Sequence, residues 1–329
     1  MAAGSKAGGV DGGITRLAPS PTGALHLGNA RTFVINCLLA RQQGWRVLMR
    51  IEDLDGPRVK AGSSGQMLDE LAWLGLGWDG PVVYQSARAE AYQAALEKLV
   101  QVGAAYPCTC SRRDVELAGR APHAGEGGSP YGGACRGLYA SAQDAQQRSG
   151  RRPAWRVKVD AVPVAVQDCF AGTRSFNLAN ECGDFVIFKN DGLAAYQLAV
   201  VVDDAQAGVN AIVRGDDLLE SAARQFHLRR LLHLGPEPRY WHLPLVVGPD
   251  GRRLAKRHGD TRLSHYRRLG CTPQCVLGLI GYWSGLLPDR RPATMDELLG
   301  CFDLAKLPHR PVVFCAADDA FLRGGRAVN

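Results

Sequence analysis

Residues 14–29 read Ile-Thr-Arg-Leu-Ala-Pro-Ser-Pro-Thr-Gly-Ala-Leu-His-Leu-Gly-Asn, and few folds accommodate such a run. A short apolar strand, Ile14–Leu17, empties into the Pro- and Gly-rich loop Ala18–Gly28, and helical spacing follows at once. In the predicted helix Ala30–Gln43, residues Phe33, Val34, Cys37, Leu38 and Arg41 share helical spacing and Gly44 stops it. Arg46–Ile51 reads as a second buried strand that runs into Glu52-Asp53-Leu54-Asp55. Met67–Leu74 and Ala91–Val102 read as amphipathic helices, with Ser86 as a cap before the second. Strand, loop, helix, strand, helix in this order predicts an α/β sheet with right-handed crossovers.

Further along, Ser111–Gly150 is rich in Gly, Ser and Arg and poor in aliphatic residues, which marks an inserted module. Regular patterning resumes with strand-like segments at Trp155–Val159, Val162–Val166, Asp184–Phe188, Tyr196–Val202 and Val209–Val213. A helix over Leu218–Leu232, a strand over Tyr240–Val247, a basic loop at Pro249–Asp260 and a helix over Thr272–Trp283 follow, and the pattern weakens after Gly285. The expected division is a flexible leader 1–13, a first half-domain 14–107, an insertion 108–150, a second half-domain 151–284 and a tail 285–329. With 329 residues, 46% hydrophobic and 22% charged, the chain is not a disordered one. No apolar run reaches the ~18 residues of a spanning helix, and no signal-peptide core precedes the first strand. A soluble cytoplasmic protein, monomeric and without a membrane partner, is expected.

The chemistry concentrates in three places. The first loop aims backbone N–H groups and a helix N-terminus at an anion; Thr22 and His26 would face bound phosphate, and Gly28 permits close approach. The second is Arg252-Arg253-Leu254-Ala255-Lys256-Arg257, bracketed by Gly251 and Gly259, a cationic loop able to close over a triphosphate. A net charge of +7 agrees with a phosphate-bearing partner. The third is Cys108, Cys110 and Cys135, the one tight group among ten otherwise scattered cysteines. Three thiolates suit a structural zinc, and His123 is the fourth ligand that coordination chemistry would choose. Gly75–Gly80 also matches G-x-G-x-x-G, but it follows a helix rather than a strand, so the phosphate-binding context is missing.

Together the first two elements resemble the HIGH and KMSKS signatures of class I aminoacyl-tRNA synthetases, in the right order. Arg50-Ile-Glu-Asp-Leu-Asp55, Tyr196-Gln-Leu-Ala-Val-Val-Val-Asp-Asp204 and Ile212-Val-Arg-Gly215 narrow the resemblance to the glutamyl-tRNA synthetase core, from about Thr15 to Lys256. A short core carrying Cys108-Thr-Cys110 and Tyr131-Gly-Gly-Ala-Cys135, with no room for a helical anticodon-binding region, resembles the glutamyl-queuosine tRNA(Asp) synthetase family.

This resemblance implies a Rossmann-like core with a small zinc-binding insertion. It implies activation of L-glutamate by ATP with Mg²⁺, without tRNA, and transfer to the queuosine base at the wobble position of tRNA(Asp). His26 and Lys256 would be catalytic, and Thr22, Gly28 and Asn29 would complete the ATP site. Arg16, Glu52, Tyr196 and Arg214, with Leu17, Ala18, Pro19 and Ser20 supplying the pocket wall, would hold glutamate. One structural zinc would sit on Cys108, Cys110, Tyr131 and Cys135. Two positions depart from the signatures: Ala255 stands in place of a serine and Asn29 in place of the second histidine. The competing readings are a truncated glutamyl-tRNA synthetase that charges a tRNA 3′ end and a non-catalytic RNA-binding paralogue.

Overall fold

The computed structural model describes residues 12–21, 24–55, 59–60, 62–111, 113–115, 130–254 and 259–324. The chain starts with β1 (Ile14–Leu17), α1 (Leu27–Gln43), β2 (Arg46–Ile51), α2 (Ser63–Trp73) and β3 (Val83–Tyr84). The three strands form a parallel sheet in the order β1-β2-β3. Next come α3 (Ala89–Gln101), β4 (Ala105–Cys108), α4 (Ala142–Ser149), β5 (Ala154–Val157), the hairpin β6 (Val164–Asp168) and β7 (Gly172–Phe176), α5 (Leu178–Glu181) and β8 (Phe185–Phe188). Strands β4, β5 and β8 make a small antiparallel sheet. The second half continues through α6 (Tyr196–Gln206), β9 (Ala211–Gly215), α7 (Leu219–Leu232), β10 (Arg239–Leu243) and β11 (Val246–Val247). A four-stranded sheet has the order β7-β6-β10-β9, with β10 parallel to both neighbours. Reciprocal hydrogen bonds between Ile14 and Asn210 tie β1 to the start of β9. The chain closes with α8 (Leu263–Arg268), α9 (Pro273–Trp283), α10 (Met295–Cys301), β12 (Val312–Val313) and α11 (Ala316–Gly324).

The mixed α/β organisation agrees with the sequence reading, and several element assignments need correction. The helix expected from Ala30 begins at Leu27, because His26 and Asn29 cap it. Tyr196–Val202, read as a strand, is the first part of α6. Its apolar run is buried on every side, and such a run carries no periodicity that separates helix from strand. Tyr240–Val247 is two strands rather than one, interrupted by Pro244, which lacks the N–H a continuous ladder needs. Ser86 does not cap α3: it lies in a 3₁₀ turn and bonds Asp53 instead. Strand β7 was not foreseen; its side chains are mostly exposed, so they carry no apolar alternation.

Helix α1 is the centre of the larger core. It packs on β1 and β9 on one side and on α9 and α10 on the other, so Leu27, Val34, Ile35, Leu38 and Ala40 are all buried. The region after Gly285, where patterning faded, contributes Leu287, Leu298, Phe302, Phe314 and Leu322 to this same core. Each fully buried leucine there stabilises the fold by about 1.5–3 kcal/mol. No helix among the described residues is long and apolar enough to cross a membrane.

Candidate active site and metal centre

A cleft of about 470 Å³ opens where β1 and β9 end, the place where open α/β sheets leave a crevice. It gathers residues from far-apart segments: Arg16, Ala18, Pro19, Ser20, His26, Gly28 and Asn29 from the first strand–loop–helix unit, Glu52 after β2, Tyr196 at the start of α6, and Arg214 on β9. Leu17 does not line it; its side chain is fully buried in the core beside α1. Thr22, Ala255, Lys256 and His123 lie outside the described residues.

The cleft floor is a buried charge cluster. Arg50 Nη1 donates to Asp204 Oδ1 at 2.5 Å and Nη2 donates to Glu52 Oε1 at 3.0 Å. Arg16 Nε stands 3.4 Å from the same Asp204 oxygen. Helix α6 thus carries Tyr196 at its entrance and Asp204 two turns later, so one element lines the cleft and anchors its arginines. Burial pushes the Glu52 carboxyl up, while Arg50 and Arg16 pull it back down. Arg50 also faces Asp203, its Nε 3.8 Å from Asp203 Oδ2, so Arg16, Arg50 and Arg214 share three carboxylates, Glu52, Asp203 and Asp204.

His26 has a local structural duty as well. Its Nδ1 accepts the Gly28 N–H at 3.1 Å, which caps α1 and leaves Nε2 as the ring nitrogen that carries the hydrogen. A Cβ on residue 28 would stand 3.1 Å from the His26 ring, so glycine keeps that contact relaxed. Burial, reinforced by Arg253, lowers the His26 pKa from 6.5 to about 4. At neutral pH this side chain is therefore an uncharged N–H donor rather than a cation. An NMR titration of His26 is expected to show a midpoint near 4, and a midpoint near 6.5 would contradict this assignment.

The described flank of the basic loop reaches the cleft through Arg253, which lines it and pairs with Asp217 at 2.9 Å. Sequence reading assigned no individual role to Arg50, Asp204, Asp217 or Arg253. The available signal was the pair of carboxylates that ends the apolar run before Asp203, since buried acids demand buried cations.

The sulfur atoms of Cys108, Cys110 and Cys135 lie within 4.8 Å of one another, with Cys110 and Cys135 at 3.5 Å. A tetrahedral zinc with Zn–S bonds of about 2.3 Å requires sulfur–sulfur edges of about 3.8 Å, so the group fits. The Tyr131 hydroxyl accepts from the Cys108 thiol at 3.3 Å, lies 3.6 Å from Cys110 and accepts the Cys135 N–H at 3.0 Å. Tyr131 is held by a bridge to Gly183, where a Cβ would come within 2.2 Å of the Tyr131 carbonyl oxygen. None of the four residues lines the cleft.

Comparison with known proteins adds four findings. The family described as tRNA synthetases class I (E and Q), catalytic domain, matches residues 14–301. The glutamyl-Q tRNA(Asp) synthetase of Symbiobacterium thermophilum is 44% identical over 321 residues, covering 95% of this chain and 99% of its own length. The glutamate–tRNA ligase of Heliobacterium modesticaldum is 38% identical, but the match spans only 62% of that protein. Among solved structures, the glutamate tRNA ligase of Elizabethkingia meningosepticum in complex with its amino acid superposes with a TM-score of 0.80 at 26% identity, covering 94% of this chain and 68% of that one.

Proposed function

Because the chain belongs to the class I tRNA synthetases (E and Q) through their catalytic domain, we propose that it is a ligase that activates L-glutamate with ATP and transfers it to the queuosine base of tRNA(Asp). The observation that carries this reading is the meeting, in one cleft, of Glu52 with the buried Arg16 and Arg214. A carboxylate for an ammonium and arginines for carboxylates are the recognition set of an acidic amino acid. The choice of acceptor rests on the relatives matched nearly end to end, which carry the glutamyl-Q name.

In the first step an oxygen of the glutamate α-carboxylate attacks the α-phosphorus of ATP, forming glutamyl-adenylate and releasing pyrophosphate. Two anions must meet, so alignment and positive charge matter more than a general base. Glu52 holds the substrate ammonium, Arg16 and Arg214 hold carboxylate oxygens, and Tyr196 adds an O–H donor. The Ala18–Ser20 backbone forms the wall. His26 donates its Nε2–H to phosphate beside Gly28 and Asn29 at the start of α1, Thr22 would add a contact to the nucleotide, and Lys256 neutralises the departing pyrophosphate. Mg²⁺ bound to ATP would offset phosphate charge. In the second step a hydroxyl of the queuosine ring attacks the glutamyl carbonyl and AMP leaves. With ATP and tRNA as its substrates, the enzyme would act in the cytoplasm, and as a monomer. The test is ATP–pyrophosphate exchange: it is expected to depend on glutamate and to proceed without tRNA, and exchange that ignores glutamate would remove the reading.

Cys108, Cys110, Cys135 and Tyr131 would hold one zinc ion with a structural role, away from the reacting atoms. Elemental analysis is expected to find one zinc per chain. Joint Cys108→Ser and Cys110→Ser replacement should abolish it and lower the melting temperature; Tyr131→Phe should weaken it, and His123→Ala should not. Zinc loss in His123→Ala with retention in Tyr131→Phe would move the fourth ligand to His123.

A further inference from the structure

Three neighbouring strands bring a carboxylate, an imidazole and a guanidinium into one buried row. Strands β9 and β10 pair in a register that sets Arg214 beside His242, and β6, on the other side of β10, ends at Asp168. Asp168, His242 and Arg214 are 8%, 0% and 5% exposed. His242 Nδ1 lies 2.6 Å from Asp168 Oδ2, and Arg214 Nε donates to His242 Nε2 at 2.9 Å. A guanidinium has no acceptor, so the Nε2 it faces must be bare; an ionised carboxylate only accepts, so Nδ1 must carry the hydrogen. Both partners demand the same neutral tautomer.

We propose that Asp168 and His242 are positioning residues for glutamate recognition, which act by holding His242 in its Nδ1–H tautomer and thereby fixing the plane of the Arg214 guanidinium. The inference rests on the reading that Arg214 binds a substrate carboxylate. The remaining contacts of Arg214 agree with it. Nη1 donates to Gln225 Oε1 at 2.9 Å and Nη2 to the Leu218 carbonyl at 3.2 Å. Gln225 is itself oriented, since its Nε2 donates to Gln197 Oε1 at 3.0 Å, and Gln197 donates to Ser221 Oγ at 3.0 Å. One donor on each guanidinium nitrogen is thus committed. The two that complete the five, one on each terminal nitrogen, remain for a substrate carboxylate.

The surroundings also favour the required charge states. Burial raises the Asp168 carboxyl, but hydrogen bonds from His242 and the Ala171 and Phe170 amides bring it below the ordinary range. Burial lowers the His242 pKa, with Arg214 adding to the effect and Asp168 opposing it. In the other tautomer, Nε2–H would confront Arg214 Nε–H. It would also compete for the Leu218 carbonyl, which faces the His242 ring and already serves Nη2.

Asp168→Asn tests this at constant shape. Its oxygen can keep the Phe170 and Ala171 amides and the 3.3 Å contact from the His242 main-chain N–H, while its own N–H donates to Nδ1, which forces the hydrogen to Nε2. Two-bond ¹⁵N–¹H correlation spectra are expected to show His242 as Nδ1–H in the unaltered protein and Nε2–H in Asp168→Asn. In ATP–pyrophosphate exchange, the variant is expected to raise the KM for glutamate about tenfold or more, on the scale of a lost charged hydrogen bond, with the KM for ATP and kcat little changed. His242→Gln, which supplies both an acceptor and a donor, is expected to recover most of the glutamate affinity that His242→Leu loses. An Nε2–H tautomer in the unaltered protein, an unchanged glutamate KM in Asp168→Asn, or an equal rise for glutamate and ATP would overturn the proposal. Arg214→Gln separates the two levels. If it raises the glutamate KM while Asp168→Asn is silent, only the positioning role fails; if it too is silent, the assignment of Arg214 fails with it.

Discussion

Glu52→Gln is expected to lower kcat/KM for glutamate in ATP–pyrophosphate exchange by about 10²–10³-fold. Glutamine keeps the size of the side chain and the contact with Arg50, so the fold should survive. What disappears is the negative charge proposed to meet the ammonium; of the other carboxylates at the cleft, Asp217 is paired with Arg253 and Asp204 with Arg50 and Arg16. Removing one member of a buried charge pair costs about 2–5 kcal/mol, which sets that range. The KM for ATP should hardly move. Burial pushes the Glu52 carboxyl up, so glutamate capture by the unaltered enzyme should fail on the acid side, as falling pH protonates the group. A less than about fivefold effect of Glu52→Gln would mean that the substrate ammonium is held elsewhere.

Lys256→Ala is expected to reduce kcat for glutamate activation by about 10²-fold or more, with little change in the glutamate KM. The proposed task of this lysine is to meet charge that develops on departing pyrophosphate, which exists only as the reaction proceeds. Arg253, three residues earlier, faces the cleft, so the described edge of the basic loop is already at the site. Arg253 is paired with Asp217 and is the weaker candidate for that task. Exchange at the unaltered rate would leave the basic loop without a catalytic function.

The first strand–loop–helix unit was legible in the sequence because its signals are local: an apolar strand, a loop of prolines and glycines, and a helix start within 16 residues. The thiol cluster was legible for the same reason, since Cys108 and Cys110 sit on one strand end. The anchoring of the arginines was not. Asp204 meets Arg50 across 154 positions and His242 meets Asp168 across 74, and neither separation leaves a periodic trace. Helix α6 was misread because burial on all sides erased the amphipathic pattern that would identify it. Leu17 was expected to give its backbone to the pocket wall; strand alternation sends its side chain to the face opposite Arg16, into the core. The segment after Gly285 faded because its elements are short, and short helices that pack on an existing core need little periodicity of their own.

The identity of the acceptor is the central claim, and it is measured by following radiolabelled glutamate. Purified enzyme, ATP, Mg²⁺ and labelled glutamate are incubated with tRNA(Asp) that carries queuosine, with tRNA(Asp) that lacks it, and with tRNA(Glu). Nuclease digestion and mass spectrometry then locate the label. The account predicts label only on queuosine-containing tRNA(Asp), at the wobble nucleotide, with transfer that weakens as salt rises because phosphate contacts release counterions. Label on the 3′-terminal adenosine of tRNA(Glu), or no label on any RNA that the protein binds, would contradict it.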